Sequence, residues 1–309
     1  MNDPLAHHML GRSFKAGLLI GGIGGLLLGI GLAYSKTHIL KYIQKKRTSQ
    51  IKPTESPILN RITSLEKYKK ESPYPNLKCR TQIHISFFPL NPSEETVDKF
   101  YEITNHINNI RENDRKFTQI RPWLIMVDYD HKGYTRVMQT ARYYTTNNID
   151  DAIYETNKDA NLYQKFFDEA YEKKELQQQV IVVREKIETP AATHGVPVTD
   201  PEAKHYPKYF EFYIRVERKN HSTDTELTTL STKFSSLFNT RVGISYDQRN
   251  EQQRYLNVRF RNIGLLTARE RISKLIESID KTENFRWIKT YAQYIPFDSF
   301  PQFDNGWLD

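Results

Sequence analysis

One pattern occurs twice in this chain of 309 residues and constrains its fold more than any other feature. Residues 79–187 and residues 209–295 each contain, in the same order, a strand, a helix, two strands, a helix and a strand. The predicted strands alternate apolar and polar residues, as in YFEFYIRVER, and the predicted helices repeat apolar residues every three or four positions. The pattern in each half therefore predicts one β-α-β-β-α-β unit, although few residues are identical between the halves.

This element order is typical of the ferredoxin-like fold, an antiparallel sheet with two helices on one face. The predicted fold class is α+β, with one N-terminal transmembrane helix, a tether and two tandem ferredoxin-like repeats. The expected segments are a short N-terminal segment (1–15), the transmembrane helix (16–34), a basic juxtamembrane segment and tether (35–78), the first repeat (79–187), a proline-rich linker (188–208), the second repeat (209–295) and an aromatic, proline-containing C-terminal strap (296–309).

The predicted transmembrane helix is an uncharged run of nineteen residues, 16–34. A helix of this length spans about 28 Å, close to the thickness of a bilayer core. A cleaved signal peptide is the alternative, but the run continues into a basic amphipathic segment. Small residues spaced four apart let two membrane helices approach closely, which predicts self-association; the alternative is that glycine is simply common in membrane helices. The four spaced glycines are Gly17, Gly21, Gly25 and Gly29.

The net charge of +8 is concentrated near this apolar run, because residues 1–77 hold 12 Lys and Arg residues against four acidic residues. The remaining chain is formally neutral, which argues against nucleic acid as a partner. The basic cluster predicts contact with anionic lipid headgroups and places the C-terminal part on the cytoplasmic or matrix-equivalent side of a membrane, with the organelle left open. Its residues are Lys36, Lys41, Lys45, Lys46, Arg47 and Lys52. The single cysteine, Cys79, excludes an intrachain disulfide.

A short motif around His84 is a candidate catalytic feature. The segment IHISF resembles the His-apolar-Ser/Thr-apolar motif of the 2H phosphoesterase family, in which two such strands direct two histidines at a phosphodiester. The resemblance implies acid–base catalysis by His84, a role that suits a side chain titrating near neutral pH. The second copy is missing, since His221 is followed by a polar segment. The alternative is an ordinary strand histidine.

Two carboxylates, Asp128 and Asp130, follow the predicted strand RPWLIMV and are candidate metal ligands. Carboxylates separated by one residue can hold Mg²⁺, and the arrangement resembles that of palm-type nucleotidyl transferases. Those enzymes carry another carboxylate on the first strand, which this chain lacks. The alternative is that both aspartates belong to a turn, a position that aspartate favours.

Aromatic and basic residues alternate with the apolar residues of two strands in the second repeat. They predict a sheet face that is similar to that of the RNA-recognition motif, in which aromatic side chains stack on bases. The match to the motif's third strand is partial, and the alternative is that this face packs on the other repeat or on a protein partner. The residues of the face are Tyr213, Arg215, Tyr255, Arg259 and Arg261.

Several common catalytic and cofactor-binding motifs are absent from the sequence, including phosphate-binding glycine loops, the nucleophile elbow and zinc-binding patterns. We therefore expect no cofactor. The favoured interpretation is a membrane-anchored, non-enzymatic interaction or assembly component with an unidentified protein partner. A phosphodiester-acting enzyme and an RNA-binding module are the alternatives. The aromatic C-terminal strap is expected to pack back across the folded domain, since its rings are costly to leave in water.

Overall fold

The structure is a computed structural model that describes residues 79–112, 117–129, 133–146, 148–204, 208–219 and 223–308. The strands are β1 (Cys79–Phe88), β2 (Arg121–Asp128), β3 (Tyr134–Thr146), β4 (Ile181–Pro190), β5 (Tyr209–Arg218), β6 (Val242–Asp247), β7 (Gln253–Arg261) and β8 (Phe285–Asp298). The helices are α1 (Glu94–Ile110), α2 (Ile149–Glu172), α3 (Asp200–Lys204), α4 (Thr225–Phe238) and α5 (Leu265–Asp280), and a 3-10 helix (Pro301–Asp304) follows β8.

The eight strands form one closed antiparallel barrel in the order β1-β3-β2-β6-β7-β5-β8-β4, and β4 returns to β1. Two pairings join the halves of the chain. Strand β2 pairs with β6, with Met126 opposite Tyr246, and β4 pairs with β8, with Lys186 opposite Asp298.

The predicted fold class, two tandem ferredoxin-like repeats, is therefore wrong. An open sheet leaves unpaired N–H and C=O groups along its edge strands. Here the edges that two separate sheets would leave open pair with each other, so both pairs of edges disappear into one barrel. The hydrophobic period of a strand identifies its two faces but carries no information on which distant strand becomes its neighbour.

The alternation of side chains separates the outside of the barrel from its interior. On β1, Ile83, Ile85 and Phe87 are buried, and Ile85 and Phe87 belong to the core beneath α1 and α2. The intervening residues Gln82 and His84 line the barrel interior. Polar positions that would face water on an open sheet thus face an enclosed space.

Aromatic packing fixes the helices of each half to the barrel. In the first half, the Phe87 ring lies 5.2 Å from Phe100 of α1 and 5.0 Å from Tyr163 of α2. In the second half, Phe238 at the end of α4 lies 5.5 Å from Phe260 of β7. These ring contacts hold the strands, and hence the interior side chains, in a fixed register.

Among the described residues, no helix is long and apolar enough to cross a membrane. The predicted transmembrane helix at 16–34, with Gly17, Gly21, Gly25 and Gly29, lies outside the described residues, as does the basic cluster from Lys36 to Lys52. The predicted lipid contact, self-association and membrane side remain predictions.

The C-terminal segment after β8 folds back into one end of the barrel. Asp304 contacts Arg184 of β4 and Arg259 of β7, which come from different halves of the chain. Leu308 is buried, and Trp307 packs on Gly243 of β6. A Cβ atom at Gly243 would lie 2.3 Å from Nε1 of Trp307, so this strand position requires glycine.

Candidate binding site inside the barrel

A cavity of about 300 Å³ occupies the barrel interior and is lined by side chains from all eight strands and from the C-terminal segment. Nine aromatic residues belong to the lining: Trp123, Tyr129, Tyr143, Tyr213, Tyr246, Tyr255, Tyr291, Phe303 and Trp307. All nine of these aromatic residues are half-buried. One end of the cavity is closed by the C-terminal segment.

Buried ion pairs form the floor of the cavity. The Nζ of Lys186 lies 2.7 Å from a carboxylate oxygen of Glu188 and 2.7 Å from one of Glu211. The Nη2 of Arg259 lies 2.6 Å from the other oxygen of Glu211. Each buried charge thus meets at least one group of opposite sign, which such charges require.

The same floor continues toward the closed end of the barrel. Arg184 lies 2.6 Å from Asp298 and 2.8 Å from Asp304, and Asp304 also contacts Arg259. Arg184 therefore joins β4 to the end of β8 and to the C-terminal segment. We call the connected set of Arg184, Lys186, Glu188, Glu211, Arg259, Asp298 and Asp304 the floor network.

Proton equilibria in the floor network favour the charged forms. Burial opposes the ionisation of Glu188, but the charge of Lys186 and the contact with His84 outweigh it and lower its pKa to about 2. Burial likewise opposes ionisation of Glu211, and Lys186 and Arg259 still hold its pKa well below the usual value. Burial also opposes the charge of Lys186, yet Glu188 and Glu211 raise its pKa. The floor therefore presents fixed charges to anything in the cavity.

This network predicts loss of stability in acid. Because the pKa of Glu188 falls from 4.5 to about 2 on folding, its stabilising contribution is complete above about pH 5 and disappears as the pH falls toward 2. We expect the urea midpoint of unfolding to fall steeply across this window, by an amount equivalent to several kcal/mol. The Glu188→Gln variant should show a shallower slope. An equal slope in both proteins would contradict the assignment.

His84 is placed at the cavity wall with a defined orientation. Its Nδ1 lies 2.9 Å from the carbonyl oxygen of Thr140, and a carbonyl can only accept, so Nδ1 carries a hydrogen. Nε2 is left facing Glu188, 3.5 Å from its Oε1. The ring lies 5.9 Å from that of Trp123, which also lines the cavity. The imidazole is therefore held between a backbone carbonyl and a buried carboxylate.

Tyr213 links Glu188, the carboxylate that faces His84, to Glu211 and Lys186. Its hydroxyl contacts both Glu188 and Glu211 and accepts from Nζ of Lys186 at 3.0 Å. Burial and the two neighbouring carboxylates raise its pKa well above the usual value. Tyr213 is thus a neutral hydroxyl whose one hydrogen lies between the two carboxylates.

Two polar atoms of the cavity lining have no hydrogen-bond partner among the described residues. They are Oε1 of Gln293, an acceptor, and Nε1 of Trp307, a donor. Buried polar atoms in folded proteins are nearly always paired. Nε1 of Trp307 lies against Gly243 of β6.

The structure corrects the interpretation of the second repeat's polar face. Tyr213 and Tyr255 line the cavity, and Arg259 is 1% exposed. Arg215 is half-buried, and Arg261 is exposed with its guanidinium 4.7 Å from the ring of Tyr209. The predicted RNA-binding module is wrong, because most of the proposed face is the inside of a barrel that a nucleic acid strand cannot enter.

The predicted interaction component and phosphodiester-acting enzyme are corrected as well. The interaction component was inferred from the absence of catalytic motifs in a chain expected to contain two ferredoxin-like repeats, and the described part of the chain forms one closed barrel instead. The phosphodiesterase needs two facing histidines, and His84 is the one histidine among the described residues that lines the cavity. His221 lies outside the described residues.

The candidate metal ligands are only partly described. Asp128 accepts a hydrogen bond of 3.2 Å from the N–H of Gly133, as a turn aspartate does, and Asp130 lies outside the described residues. No group of three or more potential metal ligands occurs in the described ranges. A metal site at this turn remains a prediction.

Sequence reasoning missed the central residues of the floor. The segment VREKIE was interpreted only as a strand, and its alternating charges Arg184, Lys186 and Glu188 were left without a role. The available signal was charge complementarity, since the same face of β5 carries the acidic Glu211 and that of β7 carries the basic Arg259. Alternating charges of both signs on several strands fit an enclosed face as well as a solvated one.

No protein-family model matches the chain, and no curated protein matches it. Two solved structures show partial similarity. A provisionally named chlorite dismutase aligns over 70% of this chain and 94% of its own, with 9% identity and a TM-score of 0.22. A dye-decolorizing protein from V. cholerae aligns over 72% of this chain and 95% of its own, with 8% identity and a TM-score of 0.24. Similarity at this level assigns neither a family nor an activity.

Proposed function

We propose that the barrel binds a small, planar aromatic molecule in its interior. The observation that carries this proposal is the cavity itself: about 300 Å³ of enclosed space with an aromatic wall above a floor of fixed charges. This volume is at the lower end of the range for small-molecule sites.

The lining supports a planar aromatic ligand in particular. Trp123, Tyr255 and Trp307 present ring faces and edges, with which another aromatic ring packs favourably in offset or edge-to-face geometry. Gln293 supplies one unpaired acceptor, which would orient a ligand that carries a polar substituent. An apolar body with a few directed polar contacts is the usual composition of such a site.

The cavity is not an ordinary packed barrel interior. Small eight-stranded barrels either fill their interior with side chains or enclose one small ligand. Here the charged floor and the C-terminal segment fill one end, and the aromatic half retains open volume.

Tryptophan fluorescence provides a direct test, because the chain contains three tryptophans and two of them, Trp123 and Trp307, line the cavity. Trp287 is 38% exposed and is not part of the lining. We expect nitrobenzene, a planar aromatic quencher, to quench the Trp287→Phe variant with a saturable concentration dependence. A variant with Trp123→Phe and Trp307→Phe retains only Trp287 and should show the linear dependence of collisional quenching.

A cavity-filling substitution supplies the matching control. Val137 lines the cavity and is 5% exposed, so Val137→Phe in the Trp287→Phe background should abolish the saturable component. Thermal unfolding of this variant checks that the barrel is intact. Linear quenching in the Trp287→Phe protein itself would reject the proposed function.

A further inference from the structure

We propose that the aromatic molecule in the barrel carries an acidic hydroxyl group, as a phenol or an enol does, and that Nε2 of His84 accepts its proton. This inference rests on the proposed function and assigns it a ligand class and a chemical step. It depends on three features of His84: the fixed orientation of its ring, its position on the aromatic wall and the carboxylate behind it.

The orientation leaves one nitrogen available. Nδ1 donates to the carbonyl oxygen of Thr140 at 2.9 Å, so the neutral ring has its lone pair on Nε2. His84 itself is 3% exposed and belongs to the cavity lining, which makes the cavity the accessible route to Nε2. A lone pair that faces a carboxylate is unfavourable, whereas a protonated Nε2 in the same place is attracted to it.

The negative charge of Glu188 balances the positive charge that His84 gains with the proton. Its Oε1 lies 3.5 Å from Nε2, and its own position is fixed by Lys186 and by the hydroxyl of Tyr213. The carboxylate is negatively charged and lies on the Nε2 side of the ring. The titratable or charged side chains that share the cavity wall with His84 on β3, β4 and β5 are Tyr143, Arg184, Lys186, Glu188 and Tyr213.

The position of His84 on the cavity wall brings the hydroxyl group of a bound ligand close to the imidazole. The rings of His84 and Trp123 are 5.9 Å apart and both border the cavity, so an aromatic ligand packed on Trp123 places its edge near the imidazole. Substituents of a planar ring lie in the plane of that ring, at its edge.

The proposed step is a simple proton transfer. The O–H bond of the ligand breaks, its electron pair stays on oxygen, and a bond forms between the proton and Nε2 of His84. The products are an oxyanion and an imidazolium, and Glu188 lies on the same side of the cation, 3.5 Å from Nε2. Reversal of the step returns the proton, so His84 would act as the base and then as the acid.

The test compares two nitroaromatic probes of similar shape, p-nitrophenol and p-nitroanisole, in which a methyl group replaces the acidic hydrogen. At a pH where free p-nitrophenol is mostly protonated, we expect the intact protein to bind it about tenfold or more tightly than p-nitroanisole, the gain from one charge-assisted hydrogen bond. The bound p-nitrophenol should show the phenolate absorption band. Its ionisation should occur at a lower pH than that of the free probe.

Variants assign the effect to one side chain. His84→Gln should remove the phenolate band and the tenfold preference, and His106→Gln, the same change at an exposed histidine of α1, should leave both unchanged. The measurement on the unmodified protein stands even if His84→Gln does not fold. Equal binding of both probes, with p-nitrophenol remaining neutral, would overturn the role of His84 and leave the proposed function intact. Saturable binding of neither probe would overturn both.

Discussion

Replacement of Arg259 by methionine is expected to lower the free energy of unfolding by about 3–5 kcal/mol, the usual cost of removing one partner from a buried ion pair. The guanidinium is completely buried between Glu211 and Asp304. Methionine has a similar length but no charge, so both carboxylates would lose a cation that water cannot replace. Urea-induced unfolding, compared at constant slope, measures this loss.

A control for this prediction lies two residues further along the same strand. Arg261 faces the same side of β7 but is exposed at the end of the barrel. Arg261→Met should cost less than about 1 kcal/mol, since exposed arginine contacts contribute little. Similar destabilisation by both substitutions would mean that the floor network does not stabilise the barrel in the way that its geometry indicates.

Removal of residues 301–309 is expected to lower the melting temperature by about 10 °C or more. The deletion takes away Asp304, which pairs with Arg184 and Arg259, together with the buried Leu308 and the ring of Trp307. Such losses together exceed several kcal/mol, and each kcal/mol corresponds to about 2–4 °C in a domain of this size. Differential scanning calorimetry measures the change.

Two point substitutions test whether specific contacts of the C-terminal segment stabilise the barrel. Gly243→Ala places a methyl group against Trp307 and should lower the melting temperature while changing the tryptophan emission. Asn305→Ala alters an exposed residue of the same segment and should change neither. A melting temperature that is unaffected by the truncation would show that the C-terminal segment does not close the barrel.

Local pattern was sufficient to locate most elements of the barrel. The helical spacing after Ser93 corresponds to α1, and the Ser93 side chain accepts a hydrogen bond from the N–H of Thr96, as expected for an N-cap. The alternation in β5 correctly separates Phe212 and Ile214, which are buried, from Tyr213 and Arg215 on the other face. Each of these assignments depends on residues close together in the sequence.

The interior could not be derived in the same way. Tyr213 and Arg259 were singled out, but on an exterior face, because the same alternation fits a solvated sheet and a polar barrel interior. The distinction depends on whether β2 meets β6 and β4 meets β8, and these contacts join residues more than a hundred positions apart. His84 was identified from its motif, whereas its partner Glu188 became recognisable only through the pairing of β1 with β4.

The closure of the barrel through β2–β6 and β4–β8 has a consequence for how the chain folds. Neither half can complete its hydrogen bonding alone, since each would keep two bare strand edges and half of the floor network. Contacts of such large sequence separation are costly in loop entropy, so the barrel is expected to form slowly and as one cooperative unit. During synthesis, the first half must wait until β8 has been made, and it depends in that interval on protection from pairing with other chains.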